Sequence, residues 1–196
     1  MDVVFLTRSL TTEMILENYP KGLFPMANAG PRGPITWHSP PQRAVIPLDR
    51  FHVSRSLART LAQARFTVTF DQAFEAVVEA CARGGESWID HRIKRAYAEL
   101  HRRGQAHSVE VWVEGKLAGG LYGVPLNRVF CAESKFHHIR DMSKVALAQM
   151  VFHLRDQGFT HMEVQYLTPH LAQFGALEIP GQEYQQLLGG IIGELP

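Results

Sequence analysis

Cysteine is scarce in this sequence: Cys81 and Cys131 are the only two among 196 residues. They form no CxxC pair and no framework spacing, which excludes a disulfide-built scaffold and a cysteine zinc site. Long apolar runs are missing too. No stretch approaches the roughly 20 residues that span a bilayer, and the apolar start of the N-terminus is too short for a signal-peptide core. A reducing, cytoplasmic setting without membrane contact is the expectation. Excess charge of either sign is also absent, because 20 Lys+Arg against 19 Asp+Glu leave +1. That excludes a polycationic nucleic-acid binder but not a local basic face. What is present is ordinary globular material, 45% hydrophobic and 20% charged, too apolar for disorder. A chain of this length buries roughly 70% of its unfolded surface, so neither metal nor disulfide is needed to hold a core.

Proline divides the chain. Most of the eleven prolines fall between Pro20 and Pro47, which predicts an irregular stretch. Phe24, Trp37 and Ile46 within it call for packing against something. Residues 1–50 therefore read as a small irregular N-terminal region on a main domain of residues 51–196. Thr11 or Thr12 caps a first helix carrying Met14, Ile15 and Tyr19, which Pro20 ends. Ser54 caps a second, with Leu57, Leu61 and Ala64 at helical spacing. Residues 66–70 alternate as a strand. Asp71 opens a helix that Gly84-Gly85 closes, and a further helix runs over 90–103. Strands follow at 108–113, 117–124 and 128–133, joined by tight connections. Asp141 or Ser143 caps a long amphipathic helix to Gln157. A strand at 162–167 and a short helix at 168–174 come last. No internal repeat is visible.

A strand meander, a long helix, then a strand and a helix is the order of an α+β acyltransferase (GNAT-like) domain, with a mixed sheet and flanking helices. Such domains hold the pyrophosphate of a thioester cofactor on a Gly-rich turn where free amides open the helix. Here residues 134–140 (SKFHHIR) contain no glycine. That argues against an acyl-CoA donor and for another activated acyl carrier. Gly119-Gly120 read as close-packing points, Trp37 and Trp112 as core, and Cys131 as buried and not nucleophilic. The ten histidines show no ligand spacing, so no metal is expected.

Several segments carry a resemblance. They are Tyr19-Pro-Lys-Gly-Leu-Phe-Pro-Met26, Trp37-His-Ser-Pro40 with Arg43, Phe51-His-Val-Ser-Arg-Ser56 and Ser87-Trp-Ile89. They continue with His107-Ser-Val-Glu-Val-Trp112, Gly119-Gly-Leu-Tyr-Gly123, Phe130-Cys-Ala-Glu-Ser134 and Ser143-Lys144. The last are Gln165, His170-Leu171 and Phe174-Gly-Ala-Leu-Glu-Ile-Pro180. In this order they resemble the leucyl/phenylalanyl-tRNA–protein transferase family in its shorter form. The resemblance implies transfer of leucine or phenylalanine from the 3′ end of an aminoacyl-tRNA. The acceptor it implies is the α-amine of a protein beginning with Arg or Lys, which is thereby marked for N-degron proteolysis. It implies a monomer without cofactor. An aminoacyl ester is already activated, so the enzyme has mainly to orient an amine and manage one proton.

The resemblance also implies a site. Gln165 contacts the attacking amine, and Glu163, where the family usually has aspartate, polarises it from the same strand face and helps take up the proton. Glu133 recognises the amino group of the donor or the basic acceptor terminus, both cations. Leu121, Phe130, Leu147 and Met150 line a slot for the donor side chain. Lys135 replaces the family's methionine there, and His137-His138 follow it in place of Ser-Arg. Either Lys135 turns outward along its stem, or the donor is not simply apolar. Tyr19, Met26, Trp88 and Tyr97 match positions around the terminal adenosine, where stacking is the usual means of reading single strands. Lys21 leads the candidates for phosphate contact, which include Arg55, Arg59, Arg65, Arg92, Lys94, Arg95, Arg102 and Arg103. Without the resemblance, each of these charges reads as a solvated surface group. Two other activities stay open. One is a tRNA-dependent acyltransferase with another donor or a non-protein amine as acceptor, suggested by Lys135, His137-His138 and Gly181. The other is a non-catalytic tRNA- or degron-binding module.

Overall fold

The computed structural model describes residues 2–27, 32–63, 65–83 and 88–189. Ala64, Gly84, Gly85 and Ser87, named above, lie outside the described residues. The chain begins with strand β1 (Val3–Thr7) and helix α1 (Thr12–Asn18), then β2 (Phe24–Met26), β3 (Ile35–His38) and β4 (Gln42–Pro47). Thr11 caps α1, its Oγ1 accepting the Met14 N–H at 3.2 Å. Pro20 sits in a single 3-10 turn, Tyr19–Lys21, that follows the helix.

The proline-rich stretch is more regular than its composition predicts. It holds β2, β3 and β4, and Pro25 and Pro47 occupy places where a missing N–H does little harm. Pro25 lies on β2, an edge of the small sheet ordered β1-β3-β2, and Pro47 is the last residue of β4. β4 itself belongs to a second, larger sheet.

The remaining elements are α2 (Arg55–Gln63), β5 (Thr67–Phe70), α3 (Phe74–Cys81), α4 (His91–Arg102), β6 (His107–Val113), β7 (Lys116–Leu126), β8 (Val129–His137), α5 (Met142–Asp156), β9 (His161–Glu163), α6 (Pro169–Ala172), β10 (Leu177–Pro180) and α7 (Gly181–Leu188). Ser54 and Thr168 cap α2 and α6 through their hydroxyls, and Asp90 caps α4 through the Arg92 and Ile93 N–H groups. Asp71 does not open α3. It takes a left-handed φ of 59° and accepts the Ser108 N–H at 2.8 Å, tying β5 to β6. β8 runs on to His137, so half of the stretch read as a turn is strand. β9, by contrast, stops at Glu163, well short of residue 167.

The large sheet has the order β10-β4-β9-β8-β7-β6-β5 and is antiparallel except between β8 and β9. Alternation along its strands sends side chains to two cores. Phe130 and Ala132 of β8 join Val109, Leu121, Leu147 and Val151 beneath α2 and α5. Val129 and Cys131 join Ile15, Trp37, Phe74, Ile93 and Leu100 beneath α1, α3, α4 and the small sheet. Gly119 lets the start of α5 press directly on β7: a Cβ there would lie 2.7 Å from the Met142 backbone carbonyl carbon. Backbone cannot yield as a flexible side chain does, so Gly119→Ala is expected to cost about 1–3 kcal/mol in stability. A urea unfolding midpoint unchanged by the substitution would contradict this packing.

Candidate active site

β8 and β9 run side by side for only three paired positions, Val129 with His161, Phe130 with Met162 and Cys131 with Glu163. Beyond these the two strands part, for a separate local reason on each side. On β8, Tyr122 faces Ser134 and Gly123 faces Ala132, which leaves Glu133 as the extra residue of a β-bulge. After β9, Gln165 adopts a left-handed φ of 59°, and the Tyr166 N–H closes a tight turn onto the Val164 carbonyl at 2.8 Å. The turn stays fastened to β4, since Val164 N–H reaches the Ala44 carbonyl and Ala44 N–H the Gln165 carbonyl. The opening is a pocket of about 190 Å³ lined by Leu121, Ala132, Glu133, Ser134, Lys135, Leu147, Val164, Gln165 and Leu171.

Glu163 is the hub behind this pocket. It is wholly buried, and its Oε1 accepts from Arg43 Nε at 3.0 Å, Arg43 Nη2 at 2.7 Å and the Gln165 N–H at 2.7 Å. Its Oε2 accepts from Gln165 Nε2 at 3.2 Å. The two side chains thus meet, but through the left-handed turn and not along one strand face. Arg43 and Glu163 are diagonal neighbours across β4 and β9, because Val45 pairs with Glu163. The guanidinium lies between the rings of Phe24 and Tyr184, 4.9 and 4.4 Å from their centres, and donates Nη1 to the Gly22 carbonyl at 2.7 Å. Burial works against its charge, but Glu163 first, then Tyr184 and Cys131, together outweigh burial and raise the Arg43 pKa. Burial raises the Glu163 carboxyl in turn, with Arg43 and the Gln165 N–H opposing.

Glu133 is buried too, 7% exposed, with its bulged backbone turning the carboxylate toward α4. The Tyr19 hydroxyl donates to it at 2.6 Å, and the Tyr97 hydroxyl bonds both Glu133 and Tyr19. Burial pushes its pKa up from 4.5 to about 8 against these two bonds, and the nearby charge of Glu163 adds to the rise. Tyr19 and Tyr97 are 4% and 0% exposed, and Tyr97 packs edge-on against Tyr122. Neither ring has an exposed face, and both hydroxyls are turned to Glu133. The Tyr122 hydroxyl is buried and has no hydrogen-bond partner among the described residues.

The bulge has a second consequence. By shifting the alternation it sets Lys135 opposite Leu121, on the α5 side of the sheet with Leu147. Lys135 is half-buried, and burial lowers its pKa. Phe130 and Met150 do not join this pocket. Phe130 precedes Lys135 by five residues, roughly 16 Å of strand, and with Met150 it lines a different cavity of about 180 Å³ shared with Phe70, His153 and Phe159. Met26 and Trp88 lie near each other, for the Ala27 N–H donates to the Trp88 carbonyl at 3.0 Å. Both are partly exposed and stand apart from the pocket. Lys21 is exposed, and its carbonyl accepts from Gln185 Nε2. Arg43, Tyr184 and Tyr122 had no role assigned from sequence. Arg43 stood inside one of the resembling segments, but nothing local pairs it with a carboxylate 120 residues away.

A family model for leucyl/phenylalanyl-tRNA protein transferase matches residues 45–189, and a second, for the N-terminal domain of the same protein, matches residues 8–41. A leucyl/phenylalanyl-tRNA–protein transferase of Novosphingobium aromaticivorans is 51% identical over 184 residues, covering 92% of this chain and 70% of its own length. One from Herpetosiphon aurantiacus is 47% identical over 184 residues, covering 93% and 95%. Among solved structures, FemX is similar with a TM-score of 0.54 at 10% identity, over 90% of this chain and 70% of FemX. A GCN5-related glucosamine N-acetyltransferase region of a fungal multi-domain protein gives a TM-score of 0.50 at 10% identity, over 86% of this chain and 22% of that one. At such identities the structures speak for the GNAT-like fold alone. The sequence matches go further, and on them the chain belongs to the leucyl/phenylalanyl-tRNA–protein transferase family.

Proposed function

We propose that the opening between β8 and β9 is where this aminoacyltransferase joins an amino acid, leucine or phenylalanine, from aminoacyl-tRNA to the N-terminal amine of a protein. The observation that carries the reading is Gln165, held at the pocket wall by Glu163, which Arg43 holds in turn. Because Gln165 Nε2 donates to Glu163, its amide oxygen is left to accept an N–H of the attacking amine. The amine nitrogen bonds to the ester carbonyl carbon, the bond from that carbon to the ribose oxygen breaks, and the departing oxygen receives a proton. An acceptor that arrives as an ammonium must first lose one. Glu133, with a pKa near 8, can hold that proton close to neutral pH, where an acid–base group works best.

Acceptors beginning with Arg or Lys follow from the family, and Glu133, when it has given up its proton, is the carboxylate lining the pocket that suits such a cation. Met26, Trp88 and Lys21 remain to meet the terminal adenosine and its phosphate. Every proposed residue comes from one chain, so a monomer suffices. Among the described residues no helix is long and apolar enough to cross a membrane. The deciding experiment offers Leu-tRNA and Phe-tRNA with peptides that begin with Arg, Lys or Ala. Transfer that requires a basic first residue is expected. Transfer only to other amines would replace the acceptor, and binding without transfer would overturn the reading.

The raised pKa of Glu133 makes a separate prediction about stability. The folded chain binds a proton more tightly at this site than the unfolded chain, so folding is favoured below pH 4.5 and loses that contribution as pH rises to about 8. The wild-type unfolding free energy is therefore expected to fall relative to Glu133→Gln by about 1.4 kcal/mol per pH unit within that window. A difference that stays flat from pH 5 to pH 8 would show that Glu133 is not held in this state.

A further inference from the structure

One pocket side chain has no part in the reaction just described. Lys135 enters the cavity on the α5 side, where Leu121, Leu147 and Leu171 supply apolar walls. Of the two charged residues that line the cavity, Glu133 spends its carboxylate on Tyr19 and Tyr97. No ion pair joins Lys135 to a carboxylate among the described residues. Its titratable neighbours bring no anion: burial pushes the Cys81 thiol up to about 12 and so keeps it protonated, and His170 is lowered by burial and then by the like charges of Lys135, Lys144 and His137. Asp141, ahead of α5, is already engaged by Lys144 at 2.8 Å and by Arg140 at 3.7 Å. A half-buried ammonium on an apolar wall is costly unless something of opposite charge comes to it. The open volume beside it is where such a group would sit.

We propose that Lys135 extends the donors of this pocket to amino acids whose side chain ends in a carboxylate, aspartate or glutamate, with the methylenes against Leu121 and Leu147. This rests on the reading that the β8–β9 opening receives the aminoacyl group. The same cation could instead meet a phosphate of the tRNA, and the experiment separates the two sources. Wild type, Lys135→Met and Lys135→Arg are each given Glu-, Asp-, Leu- and Phe-tRNA with one peptide acceptor, and binding of uncharged tRNA is measured alongside.

Wild type is expected to transfer glutamate or aspartate measurably. Lys135→Met should lower the ratio of that transfer to leucyl transfer at least about tenfold, the order expected for losing one charge-assisted contact. Lys135→Arg should keep it, which guards against a trivial folding defect. Absence of acidic transfer by wild type, or an unchanged ratio in Lys135→Met, overturns the proposal while leaving Leu or Phe transfer intact. So does a loss of uncharged-tRNA affinity in Lys135→Met without a change in donor preference, which would assign the cation to phosphate. Failure to transfer any amino acid overturns the underlying reading instead.

Discussion

Gln165→Ala is expected to lower transfer by about 10²–10³-fold while tRNA binding stays at the wild-type level. The size follows from what is removed, a fixed polar group aimed at the reacting amine in a site partly closed to water. Its amide is set by Glu163 through the side chain, and its backbone N–H is held by the same carboxylate at 2.7 Å. The left-handed φ of 59° is one that a Cβ disfavours by about 1–2 kcal/mol, a cost that glutamine already bears and that the alanine variant leaves unchanged. Gln165→Gly is the matched control, since glycine adopts the turn freely and still lacks the amide. Both variants should lose transfer alike, and both should bind charged tRNA by fluorescence anisotropy. Full activity in either would remove Gln165 from the reaction.

The second large effect is on stability. Arg43→Ala leaves Glu163 buried without its cation, and breaking a buried pair from one side costs about 3–5 kcal/mol. That is a large share of the roughly 5–15 kcal/mol that holds a domain together. The guanidinium also fills the space between Phe24 and Tyr184 and satisfies the Gly22 carbonyl, so little can relax into its place. Arg43→Met with Glu163→Leu removes both charges and keeps volume, and it should recover much of the single-variant loss, as buried pairs replaced by apolar groups often do. Urea unfolding of the two single variants and the double variant checks this. A loss below about 1 kcal/mol in Arg43→Ala would mean that the pair is solvated and not a hub.

Local signals in the sequence reach far into this fold. Thr11 and Ser54 cap helices as the residue pattern predicts, though Asp141 opens α5 without a side-chain cap bond, and β6, β7 and α5 follow from period and turn chemistry. β1, β10 and α7 escape, because each is short and β1 and β10 lie at sheet edges, where alternation is weak. The proline-rich stretch misleads for a related reason, as an edge strand and a strand end tolerate what a central position does not. In the site, Glu133 and Gln165 are visible as residues of the family and Glu163 and Lys135 as departures from it, but their arrangement is not. The bulge that turns Lys135 to the α5 side and Glu133 toward Tyr19 depends on a pairing of β7 with β8. The seat of Arg43 between two rings depends on α7, nowhere near it in sequence. Nor does period alone reveal that Tyr19 and Tyr97 are wholly occupied by a carboxylate.

The most direct test is the mass of a peptide beginning with Arg after incubation with Leu-tRNA or Phe-tRNA and either wild type or Gln165→Ala. A gain of one aminoacyl residue at the N-terminus with wild type, and almost none with the variant, is the expected result. An unmodified peptide with wild type, or the same gain with both, would contradict a reaction centre at the β8–β9 opening.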